Sequence, residues 1–354
     1  MYPHILATSI TLPPYSEPLP VIMEYVESWM QGRSERDLQK ARRIFRNAGV
    51  DARYSIMPAH EVFQRESFAK RNDRFMEKMI PLAEANLETL FKNGQLKANQ
   101  VDYFITTSCT GLMIPSLDAY LVNALGFKGD VIRMPITEMG CAGGTSGLMY
   151  ARELLANQPG KRAVVLAFES PTSTFQCDDY SFTNIVSAAI FGDGLASALV
   201  STHPDDQRPG VPTLVDSAMY HFFNETRMMG FDLKESGLHI VLDPEVPTTI
   251  EKHFPNILPP FLAKHGLSIE EIDHFVFHPG GKKIIQMVEA LIEPFGKDMR
   301  FTREVLKTYG NMSSATVLFV LHACQQSQPA AGDTGLMLSF GPGFSAQNIL
   351  LRWT

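Results

Sequence analysis

Apolar runs typical of buried strands alternate with helical patterns over most of this chain. The runs are rich in Val, Ile, Leu and Phe, whereas the helical segments place apolar residues three or four positions apart. Such alternation is typical of an α/β fold whose sheet is covered by helices on both faces. The predicted strands are 102–107, 162–168, 195–201, 238–242, a strand ending at His278, 335–340 and 348–353. The predicted helices are a region within 17–47, then 68–92, 117–125, 141–156, 181–190, 250–265, 282–293 and one beginning at Asn311.

One part of this pattern occurs twice. The run VDYFITT at 101–107 resembles IDHFVFH at 272–278, with the acid and the Phe in the same register. Downstream of each run a glycine is followed by a polar or reactive residue and then small residues, as GCAGG at 140–144 and GNMSS at 310–314. The repetition indicates a duplicated unit.

The spacing within the two copies is nearly equal. Thr107 precedes Cys141 by 34 residues, and His278 precedes Asn311 by 33. Duplicated units pack about a pseudo-two-fold axis, so we expect Cys141, His278 and Asn311 to meet at one place. They are a nucleophile, a base and an amide donor.

The polar segment 202–212, which contains HPDD and RPG, is the predicted connection between the two copies. The predicted domains are an N-terminal half, 1–205, that carries the cysteine, and a C-terminal half, 206–354, that carries the histidine and the asparagine. At 354 residues the chain exceeds the usual size of a single core. We therefore expect two halves that share one interface in a layered sandwich.

Composition narrows the class of protein. Hydrophobic residues make up 45% and charged residues 19%, as in ordinary globular proteins, and the net charge of −7 argues against a nucleic-acid surface. No apolar run is long enough for a membrane span, so we predict a cytoplasmic location. The four cysteines have neither the spacing nor the histidine neighbours of a metal site, and we predict no metal.

Each of the three candidate residues also has an ordinary structural explanation. Cys141 follows a glycine at the start of a predicted helix. The partial positive charge of a helix start, together with a nearby imidazole, would favour a thiolate. A lone cysteine, however, is more often part of a core. His278 ends an apolar strand, where sites of α/β proteins form. Asn311 is also a favoured helix N-cap residue. Together the three types predict acyl transfer through a thioester, with the amide holding the enolate formed when a carboxylate is lost.

These motifs resemble the type III polyketide synthases, chalcone-synthase-like members of the thiolase superfamily, and in detail their bacterial branch. The matching segments are GC at 140–141, HPGG at 278–281, GNMSSA at 310–315, FGDG at 191–194 and FGPG at 340–343. The resemblance covers nearly the whole chain and implies a duplicated αβαβα thiolase-like sandwich. It implies that Cys141 carries the acyl chain, while His278 and Asn311 polarise the malonyl thioester and stabilise its enolate.

The resemblance also assigns the surroundings of that centre. Phe191 is the implied gatekeeper, with Ile240 at the second gatekeeper position, where plant members have Phe; Phe231 stands where they have Gly. The implied cavity residues are Cys109, Thr110, Ile114, Thr174, Phe231 and Ser313, with Ile114 near the partner of a homodimer. The implied cyclisation loop is Phe340, Gly341, Pro342 and Gly343. Basic residues implied for CoA phosphates are Arg42, Arg43, Arg46, Arg53 and Lys282.

The resemblance implies acyl-CoA and malonyl-CoA as substrates that enter through a tunnel, with no further cofactor and no carrier protein. Fatty acyl starters giving alkylpyrones or alkylresorcinols are the leading interpretation. Cys109 is also similar to a cysteine of bacterial enzymes that prime with malonyl-CoA and make tetrahydroxynaphthalene. The sequence is compatible as well with a carrier-protein-dependent ketoacyl synthase and with a non-catalytic binding protein of the same fold.

Overall fold

A computed structural model describes residues 2–354. Thirteen strands form one nine-stranded sheet and two separate two-stranded ribbons. The strands are β1 (His4–Thr11), β2 (Tyr15–Pro18), β3 (Ala52–Ser55), β4 (Tyr103–Thr107), β5 (Ile132–Ile136), β6 (Arg162–Glu169), β7 (Gly194–Ser201), β8 (Pro212–His221), β9 (Met229–Lys234), β10 (Gly237–Leu242), β11 (His274–Phe277), β12 (Thr334–Gly341) and β13 (Ser345–Trp353).

Eleven α-helices surround and separate these strands. They are α1 (Leu19–Trp29), α2 (Glu35–Asn47), α3 (Ala59–Val62), α4 (Phe68–Gly94), α5 (Leu117–Leu125), α6 (Gly143–Leu155), α7 (Phe182–Ile190), α8 (Val246–Ala263), α9 (Lys282–Ile292), α10 (Arg300–Tyr309) and α11 (Thr316–Gln326). Two single turns of 3-10 helix, Gly140–Ala142 and Ser313–Ala315, precede α6 and α11.

The order of strands in the large sheet is symmetric about its middle. From the centre outwards, β1-β7-β6-β4 in the first half is matched by β8-β13-β12-β11 in the second, and the two halves meet where His4 of β1 pairs with Thr213 of β8. Each half has two antiparallel pairs followed by one parallel pair. The predicted α/β fold built from a duplicated unit is confirmed, with β5 as an extra strand at the edge of the first half.

Helices α6 and α11 form the central layer. Both are almost wholly buried, pack against each other and contact strands of both halves. Helices α4 and α5 cover the outer face of the first half, and α8 and α9 cover that of the second. The start of α6 approaches the turn Ser313–Ala315 so closely that glycine is required, because a Cβ on Gly144 would lie 2.3 Å from the carbonyl oxygen of Ser314.

Several element predictions need correction. The helical region 17–47 is divided into strand β2 and two helices, since Gly32 adopts a φ of 84° and Ser34 begins α2 as its N-cap. Strands β1, β3, β5, β8 and β9 were not predicted either. The helix expected to open at Asn311 begins at Thr316, so Asn311 is not its N-cap. Among residues 2–354, no helix has both the length and the apolar character needed to cross a bilayer; the cytoplasmic location stays a prediction.

Candidate active site

Cys141, His278 and Asn311 line the same cavity, as the repeat predicts. Cys141 lies in the 3-10 turn before α6, His278 directly follows β11, and Asn311 lies between α10 and α11. The cavity has a volume of about 1400 Å³ including its open mouth. The pseudo-symmetric sheet therefore brings together three residues that are far apart in sequence.

Backbone hydrogen bonds hold the His278 and Asn311 segments in place. The His278 N–H donates to the Leu338 carbonyl at 2.9 Å, which continues the parallel pairing of β11 and β12 past the end of β11. The Asn311 N–H donates to the carbonyl of Ile190 at 2.8 Å, and its own carbonyl accepts from the N–H of Gly192 at 3.0 Å. The segment 190–192 of the first half, which contains Phe191, is thus joined directly to Asn311.

The Asn311 carboxamide is oriented by its oxygen. Oδ1 accepts a hydrogen bond from the Ser313 N–H at 2.8 Å and from the Thr316 hydroxyl at 3.2 Å. The side chain is 1% exposed and lines the same cavity as Cys141. Thr316 is a positioning residue that the sequence did not reveal, because nothing in the motif distinguishes its hydroxyl from an ordinary helix-start residue.

Burial favours the neutral form of the Cys141 thiol, against the thiolate that its position before a helix favours. Burial raises the pKa of the Cys141 thiol to about 12; the Glu169 carboxylate acts in the same direction, while hydrogen bonds with Ser313 and Asn311 oppose it. The Sγ atom lies 3.7 Å from the Ser313 hydroxyl. Removal of the sulfur from water outweighs the helix-start effect on which the expectation rested.

Burial also favours the neutral form of the His278 imidazole. It is 3% exposed, neither ring nitrogen has a hydrogen-bond partner among residues 2–354, and burial lowers the pKa of the imidazole to about 3. A neutral imidazole has one lone pair to accept a proton and one N–H to donate. Both capacities are free for substrate and for the Cys141 thiol.

These protonation states predict the pH dependence of Cys141 alkylation. With a neutral thiol and a neutral imidazole at rest, the thiolate fraction rises about tenfold per pH unit below the thiol pKa. We expect the rate of iodoacetamide modification of Cys141 to rise by about this factor per unit between pH 6 and 9. Peptide mass spectrometry of quenched samples measures it. A rate independent of pH across this range would instead indicate a thiolate–imidazolium pair.

A buried carboxylate that the sequence analysis missed lies beside the two cavity thiols. Glu169, at the end of β6, accepts hydrogen bonds from the hydroxyls of Ser108, Thr110 and Ser314 and from the Cys109 N–H. Burial raises the pKa of its carboxyl group, and these donors oppose the rise. An acid that directly follows the apolar run AVVLAF at 163–168 is the signal that could have identified it.

Cys109 shares a hydroxyl with Cys141. Its Sγ lies 3.3 Å from the Ser313 Oγ and 3.6 Å from the nearer Glu169 oxygen. Burial raises the pKa of the Cys109 thiol well above its ordinary value, and the adjacent carboxylate adds to the effect. Both thiols line the cavity, and burial favours the neutral form of each.

Most of the other predicted site residues border the same cavity. Those that line it are Cys109, Thr110, Thr174, Phe191, Phe231, Ile240, Ser313, Phe340 and Pro342. In the loop 340–343, a Cβ on Gly341 would lie 2.5 Å from that of Ala142, so only glycine lets this loop approach the nucleophile turn. Gly343 has a φ of 130° and does not line the cavity. Ile114 is 97% exposed and lies outside this chain's own cavity.

The five predicted CoA-binding residues differ in their environments. Arg42 pairs with Glu27 at 2.8 Å, whereas Arg43, Arg46 and Lys282 are exposed and unpaired among residues 2–354. Arg53 is 6% exposed and lines the cavity, and its guanidinium donates to the carbonyl of Ala189 near the end of α7. Two of its guanidinium nitrogens have no hydrogen-bond partner among residues 2–354, so its assignment to a CoA phosphate stays a prediction.

Apolar residues that the sequence analysis did not single out form much of the wall. They are Ile22, Val62, Phe63, Phe175, Met229 and Leu242. Phe63 and Phe175 stack edge-on at 5.3 Å and continue into an aromatic cluster around Trp29. Among residues 2–354 no group of three or more His, Cys, Asp or Glu side chains could hold a metal ion.

Comparison with known proteins places this geometry among its relatives. The N-terminal domain model of chalcone and stilbene synthases matches residues 25–204, and the C-terminal model matches residues 214–354. The 1,3,6,8-tetrahydroxynaphthalene synthase of Streptomyces peucetius subsp. caesius is 34% identical, over 88% of this chain and 83% of that protein. The phloroglucinol synthase of Pseudomonas fluorescens is 27% identical over 89% of each.

A comparison with solved structures agrees with the family matches. The crystal structure of 1,3,6,8-tetrahydroxynaphthalene synthase from Streptomyces coelicolor, a bacterial type III polyketide synthase, has a TM-score of 0.92. The match covers 99% of both chains at 27% sequence identity.

Proposed function

The chain belongs to the chalcone and stilbene synthase family and is a type III polyketide synthase, an acyltransferase of thiolase-like fold; within this family we propose that it loads a fatty acyl starter onto Cys141 and extends it with malonyl units. The observation that carries the proposal is the meeting of Cys141, His278 and Asn311 in one cavity.

Loading begins with a neutral Cys141 thiol and a neutral His278 imidazole. As the Cys141 sulfur attacks the acyl thioester carbonyl, its proton passes to the His278 imidazole, and the departing CoA thiolate takes that proton back. The acyl–sulfur bond to CoA breaks and the bond to Cys141 forms. Because the resting thiol is neutral, the attack of its sulfur on the thioester and the transfer of its proton to His278 occur in the same step.

Extension uses two hydrogen-bond donors, the Asn311 amide and the His278 N–H. The malonyl thioester oxygen accepts hydrogen bonds from the Asn311 amide and from the His278 N–H, and the carbon–carbon bond to the carboxylate breaks with release of CO₂. The apolar wall near Phe191 disfavours the ionised carboxylate, so its loss removes an electrostatic cost. The enolate carbon then attacks the carbonyl of the Cys141 thioester, the acyl–sulfur bond breaks and Cys141 leaves as a thiolate that takes up a proton. The lengthened chain, now on CoA, is loaded onto Cys141 again for another cycle.

The apolar wall supports a fatty acyl starter. Beyond the polar centre the cavity continues between aliphatic and aromatic side chains, where Ile240 stands in place of a larger ring. Alkylpyrones or alkylresorcinols are the products we propose. A malonyl-primed synthase of the tetrahydroxynaphthalene type is the second candidate, favoured by the position of Cys109 beside Ser313.

The test is a starter series. Purified protein is incubated with malonyl-CoA and acyl-CoA starters from acetyl to palmitoyl, and products are identified by mass spectrometry. The first proposal predicts the highest turnover with long starters, and the second predicts product from malonyl-CoA alone. Folded protein that releases no CO₂ with any starter would contradict both.

Ile240→Phe should weaken the preference for long acyl-CoA starters. The larger ring narrows the cavity, and overpacking of this kind costs about 1–3 kcal/mol. We expect kcat/KM for palmitoyl-CoA to fall by about tenfold or more while that for acetyl-CoA changes little. Leu233→Phe, on the same β9–β10 ribbon but 66% exposed, is the matched control. Equal losses with both starters would show that chain length is not set at Ile240.

We also propose a homodimer. Four exposed apolar side chains, Leu112, Ile114, Tyr120 and Ile132, lie within 112–132 next to the unpaired edge of β5. A second copy that covers them would carry Ile114 towards the partner's cavity. Light scattering should give the dimer mass for the native chain and a monomer for Ile114→Asp; a native monomer at micromolar concentration would contradict this.

Of the residues predicted to bind CoA phosphates, Arg43, Arg46 and Lys282 remain proposed. Their charges are exposed and free of acidic partners among residues 2–354. Arg42 is paired with Glu27, and Arg53 is buried but lines the cavity, so its assignment also stays a prediction.

A further inference from the structure

We propose that Arg71 and Gln176 control the acyl-chain selectivity of the cavity, because they hold the β9–β10 ribbon against the wall formed by Thr174 and Phe175. Neither Arg71 nor Gln176 lines the cavity, so both are positioning residues that act through its walls. The inference rests on the proposed use of acyl-CoA starters. It deepens that proposal by naming side chains outside the cavity that decide which starters are accepted.

The β9–β10 ribbon is a wall of the cavity that the main sheet does not hold. Its two strands pair with each other, with Ile240 opposite Phe231, and neither strand joins the nine-stranded sheet. Residues 229–231 and 240–242 line the cavity, so the ribbon presents both Phe231 and Ile240 to the substrate. The position of this wall therefore depends on contacts outside the sheets.

Two buried side chains supply hydrogen bonds that attach the ribbon to the rest of the chain. The guanidinium of Arg71, on α4, donates to the carbonyl of Ser236 in the turn between β9 and β10. The Gln176 amide donates to the carbonyl of Leu238 on β10 at 3.1 Å. Within residues 2–354, no other side chain outside the ribbon forms a hydrogen bond with residues 229–242. Removal of either donor should therefore loosen the ribbon.

The same two side chains also hold the wall formed by Thr174 and Phe175. A second nitrogen of the Arg71 guanidinium donates to the Phe175 carbonyl, and the Gln176 amide also donates to the Thr174 carbonyl at 2.9 Å. Thr174 and Phe175 both line the cavity. Each donor group therefore joins one wall to the other, and together the two groups fix the separation of the walls.

The surroundings of Arg71 favour this bridging role over an ordinary ion pair. Arg71 is buried and forms no ion pair within residues 2–354, whereas Arg74, one turn further along α4, pairs with two glutamates. Burial of a guanidinium without a carboxylate is costly unless its donors are used, and hydrogen bonds from a charged donor are roughly twice as strong as neutral ones. A Cβ on Gly237 would lie 3.3 Å from an Arg71 nitrogen, so the turn of the ribbon lies directly against the guanidinium.

The position of the ribbon affects selectivity because a long acyl chain contacts more of the wall than a short one. Loss of contact with two methylene groups weakens binding by about tenfold or more, and loss of contact with one weakens it by about fourfold. An acetyl group has no methylene contacts to lose. A loosened ribbon should therefore lower kcat/KM for palmitoyl-CoA much more than kcat/KM for acetyl-CoA.

The test measures kcat/KM for acetyl-CoA and palmitoyl-CoA, with malonyl-CoA as extender, and the melting temperature of each variant. Arg71→Met and Gln176→Met preserve the approximate length of each side chain and remove its donors. Arg71→Lys keeps one charged donor for the two carbonyls. Arg162→Met is the matched control, because Arg162 is similarly buried but pairs with Asp206 and does not line the cavity.

We expect the ratio of kcat/KM for palmitoyl-CoA to kcat/KM for acetyl-CoA to fall by about tenfold or more in Arg71→Met and by about fourfold or more in Gln176→Met. Arg71→Lys should restore part of the ratio. Arg162→Met should lower the melting temperature and leave the ratio within about twofold. If Arg71→Met does not fold, Gln176→Met tests the same wall with an uncharged side chain.

Two results would overturn this inference alone. One is an unchanged ratio in folded Gln176→Met and Arg71→Met. The other is an equal fall of the ratio in Arg162→Met, which would show that the change reports stability and not the position of the ribbon. Native protein that releases no CO₂ with any starter would instead refute the proposed function itself.

Discussion

Cys141→Ala abolishes chain extension and leaves decarboxylation of malonyl-CoA in place. Removing the nucleophile removes the thioester on which every extension depends, and comparable losses in other nucleophilic enzymes reach about 10⁴-fold or more. The Asn311 amide and the His278 N–H remain, so the malonyl thioester is still polarised. The measurement is CO₂ release from labelled malonyl-CoA beside product mass spectrometry.

Cys177→Ala is the control for this variant. Cys177 does not line the cavity, and only its backbone carbonyl is used, as acceptor for the Trp29 indole. We expect near-native extension and an unchanged melting temperature. Native levels of extended product from Cys141→Ala would show that another group carries the chain.

Asn311→Asp lowers malonyl decarboxylation by about 10²–10³-fold, the usual cost of losing one oxyanion donor. Aspartate keeps the acceptor that holds the Ser313 N–H and the Thr316 hydroxyl, but it places an oxygen where the amide donated. A carboxylate facing the developing enolate repels it, so the effect falls on decarboxylation more than on folding. Release of labelled CO₂ without a starter measures this step separately from loading.

The matched comparison is Asn311→Ala, which also leaves the buried Ser313 N–H without its acceptor. We expect Asn311→Ala to lose both decarboxylation and thermal stability, the latter by about 1–3 kcal/mol, whereas Asn311→Asp loses mainly the former. Decarboxylation at the native rate in Asn311→Asp would remove Asn311 from the proposed chemistry.

The repeat made the centre of the fold predictable. Equal spacing from strand to reactive residue in both copies was enough to expect Cys141, His278 and Asn311 together, because pseudo-symmetric halves place equivalent loops at one interface. The glycines of the loop 340–343 were predictable for a related reason, since Gly341 lies where a Cβ would meet Ala142.

Features that depend on contacts between distant segments were not predictable in the same way. Strand β8 pairs with β13 and, at one residue, with β1, and neither partner is near it in sequence. Glu169 is tolerated in the core only because four hydrogen-bond donors from distant segments converge on it. The pKa of the Cys141 thiol was not predictable for the same reason. A cysteine at a helix start predicts a lowered thiol pKa, whereas burial in the cavity raises it.

The most direct test of the account is to locate the acyl group during turnover. Protein incubated with palmitoyl-CoA is digested and mapped by mass spectrometry, and a second portion is first chased with malonyl-CoA. We predict one palmitoyl group per chain on the peptide that contains Cys141, and its loss during the chase as CO₂ and extended product appear. Extended product formed while the acyl group is on Cys109 or Cys177, or on no residue, would contradict the account.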